Sequence, residues 1–140
     1  MTVARILAAK GRDVVVTQPH RTLMEVTQIL RERGIGALVV ASADREVLGI
    51  ISERDVVRAI AEHGAAGVNL KVSQLISVQQ LVSCSSTDTL EHVRHLMNKN
   101  HIRHLPVIDE YSLIGVVSIR DISTAFDDAA NAAAPSVSAA

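Results

Sequence analysis

The sequence predicts a mixed α/β (α+β) domain made of two pseudo-symmetric β-α-β-β-α halves. Three observations lead there. The 140-residue chain repeats itself at a spacing of 67 or 66 positions. Each copy runs from a helical apolar period into two short apolar stretches split by a polar turn, then back to a helical period. Aromatic residues are nearly absent, with one Phe, one Tyr and no Trp, so the core must be built from Val, Ile, Leu and Ala. A three-stranded sheet with helices on one side leaves an apolar surface uncovered, and two such halves can cover each other.

The elements follow in order. A short helix is expected over Val3 to Ala9. Leu23, Val26, Ile29 and Leu30 then fall on one helical face, and Leu90, Val93, Leu96 and Met97 repeat that spacing. Thr22 with Glu25, and Asp88 with Glu91, read as capping boxes that start these helices. Strands are expected over Ala37 to Ala41 and Val47 to Ile51, and again over Leu105 to Ile108 and Leu113 to Val117. A last helix in each half starts at Ser52 or Ser118. A second short helix, Val72 to Ser77, precedes the second copy. Thr22-Leu23 recurs as Thr89-Leu90, and Ile35 to Val40 as Ile102 to Val107. The one-residue change in offset falls in the turn Ala41 to Glu46, where a duplicated fold tolerates it. The expected organisation is motif one with its N-terminal helix over 1–63, a Gly/Ala-rich linker over 64–69, motif two over 70–127 and a disordered Ala-rich tail over 128–140.

Composition narrows the function. The chain is 48% hydrophobic and 21% charged, with a formal net charge of −1. Nothing in that balance attracts nucleic acid or an anionic membrane, and the stacking aromatics of single-strand binders are missing. A lone cysteine, Cys84, rules out an intrachain disulfide and argues against a cysteine-based zinc site. The N-terminus carries Arg5, Lys10, Arg12 and Asp13 without the apolar stretch of a signal peptide. No apolar run approaches the roughly 20 residues of a membrane helix. The expected compartment is the cytoplasm.

The stretch with chemistry in it is Gly49-Ile-Ile-Ser52-Glu-Arg54-Asp55, which recurs as Gly115-Val-Val-Ser118-Ile-Arg120-Asp121. Each places a Ser, an Arg and an Asp where a strand gives way to a helix. Unsatisfied backbone N–H groups and the helix dipole favour an anion there. A Ser hydroxyl and an Arg fork add hydrogen bonds to phosphate oxygens, and an Asp can accept from ribose hydroxyls. The structural alternative is that Ser52-x-x-Asp55 and Ser118-x-x-Asp121 are capping boxes and nothing more. Capping requires neither the Arg nor the Gly, and both occur in both copies.

These residues, with the strand Ile102-Arg-His-Leu-Pro-Val-Ile-Asp109, resemble a pair of cystathionine-β-synthase (CBS) motifs, the tandem unit called a Bateman module. The likeness covers about residues 1–127. It implies two motifs packed sheet to sheet with helices outside and two pseudo-symmetric clefts for a nucleotide. Carried over residue by residue, Ser52, Arg54 and Asp55 would share one cleft with Ile102, Arg103, His104 and Pro106. Ser118, Arg120 and Asp121 would share the other with Thr17, Ile35, Gly36 and Ala37. Asp would hold the ribose, Ser and the basic groups the phosphates, and backbone with aliphatic side chains the base. Gly36 and Ala37 stand where the second copy has Arg103 and His104, so phosphate affinity should favour the cleft those two reach.

The resemblance implies a regulatory module rather than an enzyme, with no catalytic cofactor. Its expected ligand is AMP, ADP, ATP, NAD, S-adenosylmethionine or another adenosyl compound. It is expected to act as a homodimer through its exposed helices, or on a regulated protein in trans, since no output domain is present. Three rivals stand beside it: an interaction scaffold with empty clefts, a small nucleotide hydrolase and a nucleic-acid binder. Six histidines invite a metal site, but His92, His95, His101 and His104 lack matching carboxylate or cysteine spacing. Cys84 has no orienting base in evidence and reads as a small structural residue.

Overall fold

The computed structural model describes residues 1–76 and 81–133. Its elements are α1 (Val3–Lys10), β1 (Val16–Thr17), α2 (Leu23–Arg33), β2 (Ala37–Ala41), β3 (Val47–Ser52), α3 (Glu53–His63), a 3-10 helix (Gly64–Asn69), α4 (Val72–Leu75), α5 (Leu90–Asn100), β4 (His104–Asp109), β5 (Ser112–Ser118) and α6 (Ile119–Ala133).

Local chemistry sets the helix ends. Thr22 Oγ1 accepts from the Glu25 amide at 3.2 Å, and the Glu25 carboxylate accepts from the Thr22 amide at 3.2 Å, so the expected box starts α2. In the second half the cap lies one residue later than expected. Thr89, not Asp88, accepts from the His92 amide at 3.1 Å, while Asp88 turns back to accept from the Ser85 amide at 2.8 Å. Both residue types can cap, and the spacing alone does not choose between them. Helix α2 ends on Gly34 in the left-handed region (φ 62°), and α5 ends on its counterpart His101 (φ 54°).

Strands β1, β2 and β3 form a sheet in that order, parallel between β1 and β2 and antiparallel between β2 and β3. The second sheet is the hairpin β4–β5, with its first strand reduced to a single parallel bridge from Cys84 to Val107. Val14-Val15-Val16-Thr17 is rich in β-branched residues, whereas Ser83-Cys84-Ser85-Ser86 is not, and Ser85 and Ser86 bond Asp109 instead. Both hairpins shift register at the same place, Val40/Ala41 and Val107/Ile108, as expected of a duplication.

The helices that precede the two copies are exchanged. Helix α1 buries Val3, Ile6 and Leu7 in the second half's core, against Leu90, Val93, Met97, Leu105, Val107, Val117 and Ile122. Helix α4 buries Val72 in the first half's core, with Leu23, Val26, Leu38, Val40 and Ile51. The hydrogen bonds that seat them match pairwise. The Val3 amide donates to Asp88 O at 3.0 Å, and the Val72 amide to Arg21 O at 2.8 Å. The Ala4 amide donates to Ser86 O at 2.9 Å, and the Ser73 amide to Pro19 O at 2.9 Å. The N-terminal helix therefore belongs, by packing, to motif two rather than to residues 1–63.

Two segments differ from the sequence expectation. Residues 64–69, expected as a Gly/Ala-rich linker, form a 3-10 helix on α3; Gly67 is buried so closely that a Cβ there would lie 2.9 Å from Ala59 O. Residues 128–133, expected in the tail, are helical, because α6 continues to Ala133. Its run of alanines favours helix. The short helix before the second copy is Val72–Leu75, and its expected end at Ser77, like residues 134–140, lies outside the described residues. No helix among the described residues is long and apolar enough to cross a membrane.

Candidate functional site

Both Ser-x-Arg-Asp stretches sit where β3 passes into α3 and β5 into α6. Antiparallel pairing puts Ala37 opposite Ser52 and His104 opposite Ser118. The first helical amide of each helix is tied to the strand partner: Glu53 N–H donates to Gly36 O at 3.0 Å and Ile119 N–H to Arg103 O at 2.8 Å. These bonds fix both helix starts beside the α2–β2 and α5–β4 loops.

A cleft of about 890 Å³ opens between the halves at this point. That volume lies within the range of small-molecule sites, roughly 300–1,000 Å³. Ser52, Arg54 and Asp55 line it together with Ile102, Arg103 and His104, as one of the two expected groupings requires. Pro106 does not line it. That residue is buried in β4, where its carbonyl accepts from the Cys84 amide at 3.0 Å.

The other expected grouping is divided. Gly36, Ser118 and Arg120 line this same cleft, whereas Thr17, Ile35, Ala37 and Asp121 do not. Thr17 is buried on β1, with its hydroxyl unpartnered among the described residues; Ile35 packs on the first core; Ala37 is held in the β2–β3 ladder. Asp121 is drawn instead to a distant basic group. Lys10 Nζ donates to Asp121 Oδ2 at 2.7 Å and to Val116 O at 2.9 Å, placing the end of α1 against the start of α6.

Both aspartates cap their helices. Asp55 Oδ2 accepts from the Ser52 amide at 2.7 Å and from Ser52 Oγ at 3.0 Å. Asp121 Oδ2 accepts from the Ser118 amide at 2.9 Å, and the Asp121 amide donates to Ser118 Oγ at 3.1 Å. The structural alternative is thus realised in both copies. It does not use up the carboxylates: among the described residues every bond to Asp55 goes to Oδ2, which leaves Oδ1 able to accept.

One of the two glycines has a packing reason as well. A Cβ on Gly115 would lie 2.7 Å from Leu7 Cδ2, so glycine lets α1 lie against β5, whereas one on Gly49 would lie 3.8 Å from Ile76 Cβ, an ordinary contact. Gly36 brings Glu53 and His104 together, since a Cβ there would lie 2.6 Å from Glu53 Oε1 and 3.4 Å from His104 Nε2.

Charge in the cleft is mostly positive. Arg54, Arg58, Arg103 and Arg120 line it, against the carboxylates of Glu53 and Asp55. Burial pushes the His104 imidazole below its usual range, with Lys10 and Arg103 adding to the effect and Asp121 and Glu53 opposing it. Burial works to raise the Asp121 carboxyl, but the bonds from Lys10 and Ser118 outweigh it and hold the group low. Arg58 was missed from sequence although it lies one helical turn beyond Arg54, a spacing that shares a face. Lys10 lies outside both repeats of the motif and carried no signal. Among the described residues no cluster of three or more His, Cys, Asp or Glu is poised to hold a metal. Burial pushes the Cys84 thiol up to about 12, which leaves it protonated at neutral pH and a poor nucleophile.

The family model described as the CBS domain matches this chain twice, over residues 8–62 and 72–128. The chain belongs to the CBS-domain family. This CBS pair is similar to ATU1752 from Agrobacterium tumefaciens, a CBS-domain protein, at 38% identity and a TM-score of 0.85, covering 89% of this chain and 92% of that one. It is 30% identical to the CBS domain-containing protein YhcV of Bacillus subtilis over 79% of this chain and 77% of YhcV. It shares its fold with the CBS pair of protein MJ0100, whose structure holds 5′-methylthioadenosine and S-adenosyl-L-methionine, at 24% identity and a TM-score of 0.80, covering 92% and 98% of the two chains. The chain spans 57%, 32% and 62% of the first three curated relatives that it matches.

Proposed function

We propose that this CBS pair binds an adenosyl ligand in the cleft between its halves and passes the occupancy on through contacts with a second copy or a regulated protein. The carrying observation is the cleft itself, where Ser52, Arg54 and Asp55 of one half meet Ile102, Arg103 and His104 of the other. Phosphate oxygens would meet the guanidiniums and the helix starts, while the free Oδ1 of Asp55 would accept from the ribose. Aliphatic side chains such as Ile76, Val82 and Ile102 supply an apolar wall for the base. The adenosyl compounds held by the CBS pair of MJ0100 support the same ligand class. Val57 and Ile60, exposed on α3, offer an apolar contact through which a dimer could read the cleft. A ligand shifts such an equilibrium only by its differential affinity for the two states.

Thermal unfolding with AMP, ADP, ATP, NAD, S-adenosylmethionine and GTP tests the reading. A ligand at 100 times its Kd adds about 2.7 kcal/mol, a rise of several degrees. Adenosyl compounds should raise Tm and GTP should not. No rise with any of them, in protein freed of nucleotide, leaves the scaffold reading in its place.

A further inference from the structure

We propose that His104 and Glu53 form a proton-operated clasp between the two halves, closing across Gly36 when the imidazole takes up a proton. The clasp makes the proton an input of its own and stands whatever fills the cleft. Glu53 opens α3 in the first half, and His104 opens β4 in the second. Both approach the same empty point: a Cβ on Gly36 would lie 2.6 Å from Glu53 Oε1 and 3.4 Å from His104 Nε2. Glycine leaves that gap for the carboxylate and the ring to meet. Among the described residues the ion pairs are Lys10–Asp121, Arg21–Glu25 and Glu62–His63, so neither member of the clasp is held by another charge.

The repeat does not account for the three residues. Arg103 stands where the first half has Gly36, Ile119 where the first has Glu53, and Ala37 where the second has His104. The pseudo-symmetric place therefore holds neither an acid nor an imidazole, and three departures from the repeat meet at one point of the cleft. Charge around the ring is finely divided. Burial comes first in keeping the imidazole neutral, and Lys10 from α1 and Arg103 on the approach to β4 work the same way. Asp121 from α6 and Glu53 from α3 favour the proton. Asp121 is already committed to Lys10 at 2.7 Å, whereas Glu53 is exposed and able to swing. Arg54, Asp55, Arg58 and Arg120 line the same cleft. The imidazolium offers Glu53 a donor and a charge that the neutral ring does not. The clasp therefore closes on the acid side of neutrality, drawing together side chains of both halves that line the cleft.

NMR titration of the His104 ring in the full chain, with no ligand added, tests the clasp, and Glu53→Gln and Gly36→Ala serve as comparisons. Below the His104 midpoint a through-space contact between the ring and the Glu53 side-chain protons should appear. Glu53→Gln should weaken proton binding by His104 about threefold, the scale of a partly exposed ion pair. Gly36→Ala keeps the Glu53 charge but fills the gap, and should weaken it as far. Absence of the contact in the wild-type chain at acid pH would overturn the clasp, and so would a midpoint unmoved by Glu53→Gln. A loss with Glu53→Gln that Gly36→Ala does not reproduce would show a field acting at a distance and would overturn the clasp too. The wild-type contact decides the matter even where Gly36→Ala fails to fold.

Discussion

At the scale of single residues, the two glycines of the repeated motif look identical in sequence and differ in structure. Gly115 faces Leu7, which is 1% exposed and locked in the second core, so an added methyl has no room. Gly49 faces Ile76 at ordinary contact distance. Gly115→Ala should therefore cost about 1–3 kcal/mol, as overpacking does. Gly49→Ala should stay within about 0.5 kcal/mol, and paired urea denaturation curves would show the difference. Equal losses would mean that the close approach of Leu7 to β5 is wrong. Two titrating residues add a pH dependence. His104 has its folded pKa pushed below the ordinary 6.5, so the unfolded chain takes up the proton first and stability falls as pH drops below about 6.5. Asp121 has its folded pKa held below the ordinary 3.8, so its contribution is present above that value and lost as pH falls through the folded pKa. Denaturation midpoints from pH 8 to pH 3 should show both declines. His104→Ala, which matches the residue at the equivalent position Ala37, should remove the first and keep the second.

At the scale of elements, what was legible in the sequence was what is local. The faces of α2 and α5, the strands β2 to β5 and the starts of α3 and α6 are written in periods of a few residues, and they appear within one or two residues of their expected places. The exchange of α1 and α4 was not legible. Val3, Ile6 and Leu7 make an apolar face that either core could accept, and no local pattern names the partner. The same limit hid Lys10, whose partner Asp121 lies 111 positions away. It also blurred the site: the sequence could pair Ser118 and Asp121 as one motif, but not foresee that Ser118 would line the cleft while Asp121 turned to Lys10. That contact makes its own prediction. Lys10→Met keeps the side chain's length and removes its charge. The pair is partly exposed, with 39% and 22% of the two side chains accessible, so the loss should be modest, about 0.5–1 kcal/mol. It should shrink at high salt. It should also vanish below the pH at which Asp121 is protonated, and a loss that ignores both salt and pH would show that the contact does not stabilise the fold.

At the scale of the whole molecule, the exchange makes the two halves one cooperative unit. Leu105 packs in a cluster that needs Val3 and Leu7 from before the first repeat, and Leu23 packs in a cluster that needs Val72 from after it. Neither core is complete within its own repeat, and the cleft exists only while both are. Leu23→Ala and Leu105→Ala each empty a fully buried site and should each cost about 2–5 kcal/mol. The informative readout is the shape of the transition. If the halves were independent, Leu23→Ala would melt the first core early and leave the second at its original midpoint, giving two steps. With α1 and α4 exchanged, each variant should instead move a single transition, and amide-exchange protection should fall together in β2 and in β4. On the proposed function, such coupling is the route by which a ligand in the cleft would act on both cores at once, and through them on the exposed face of α3 that carries Val57 and Ile60.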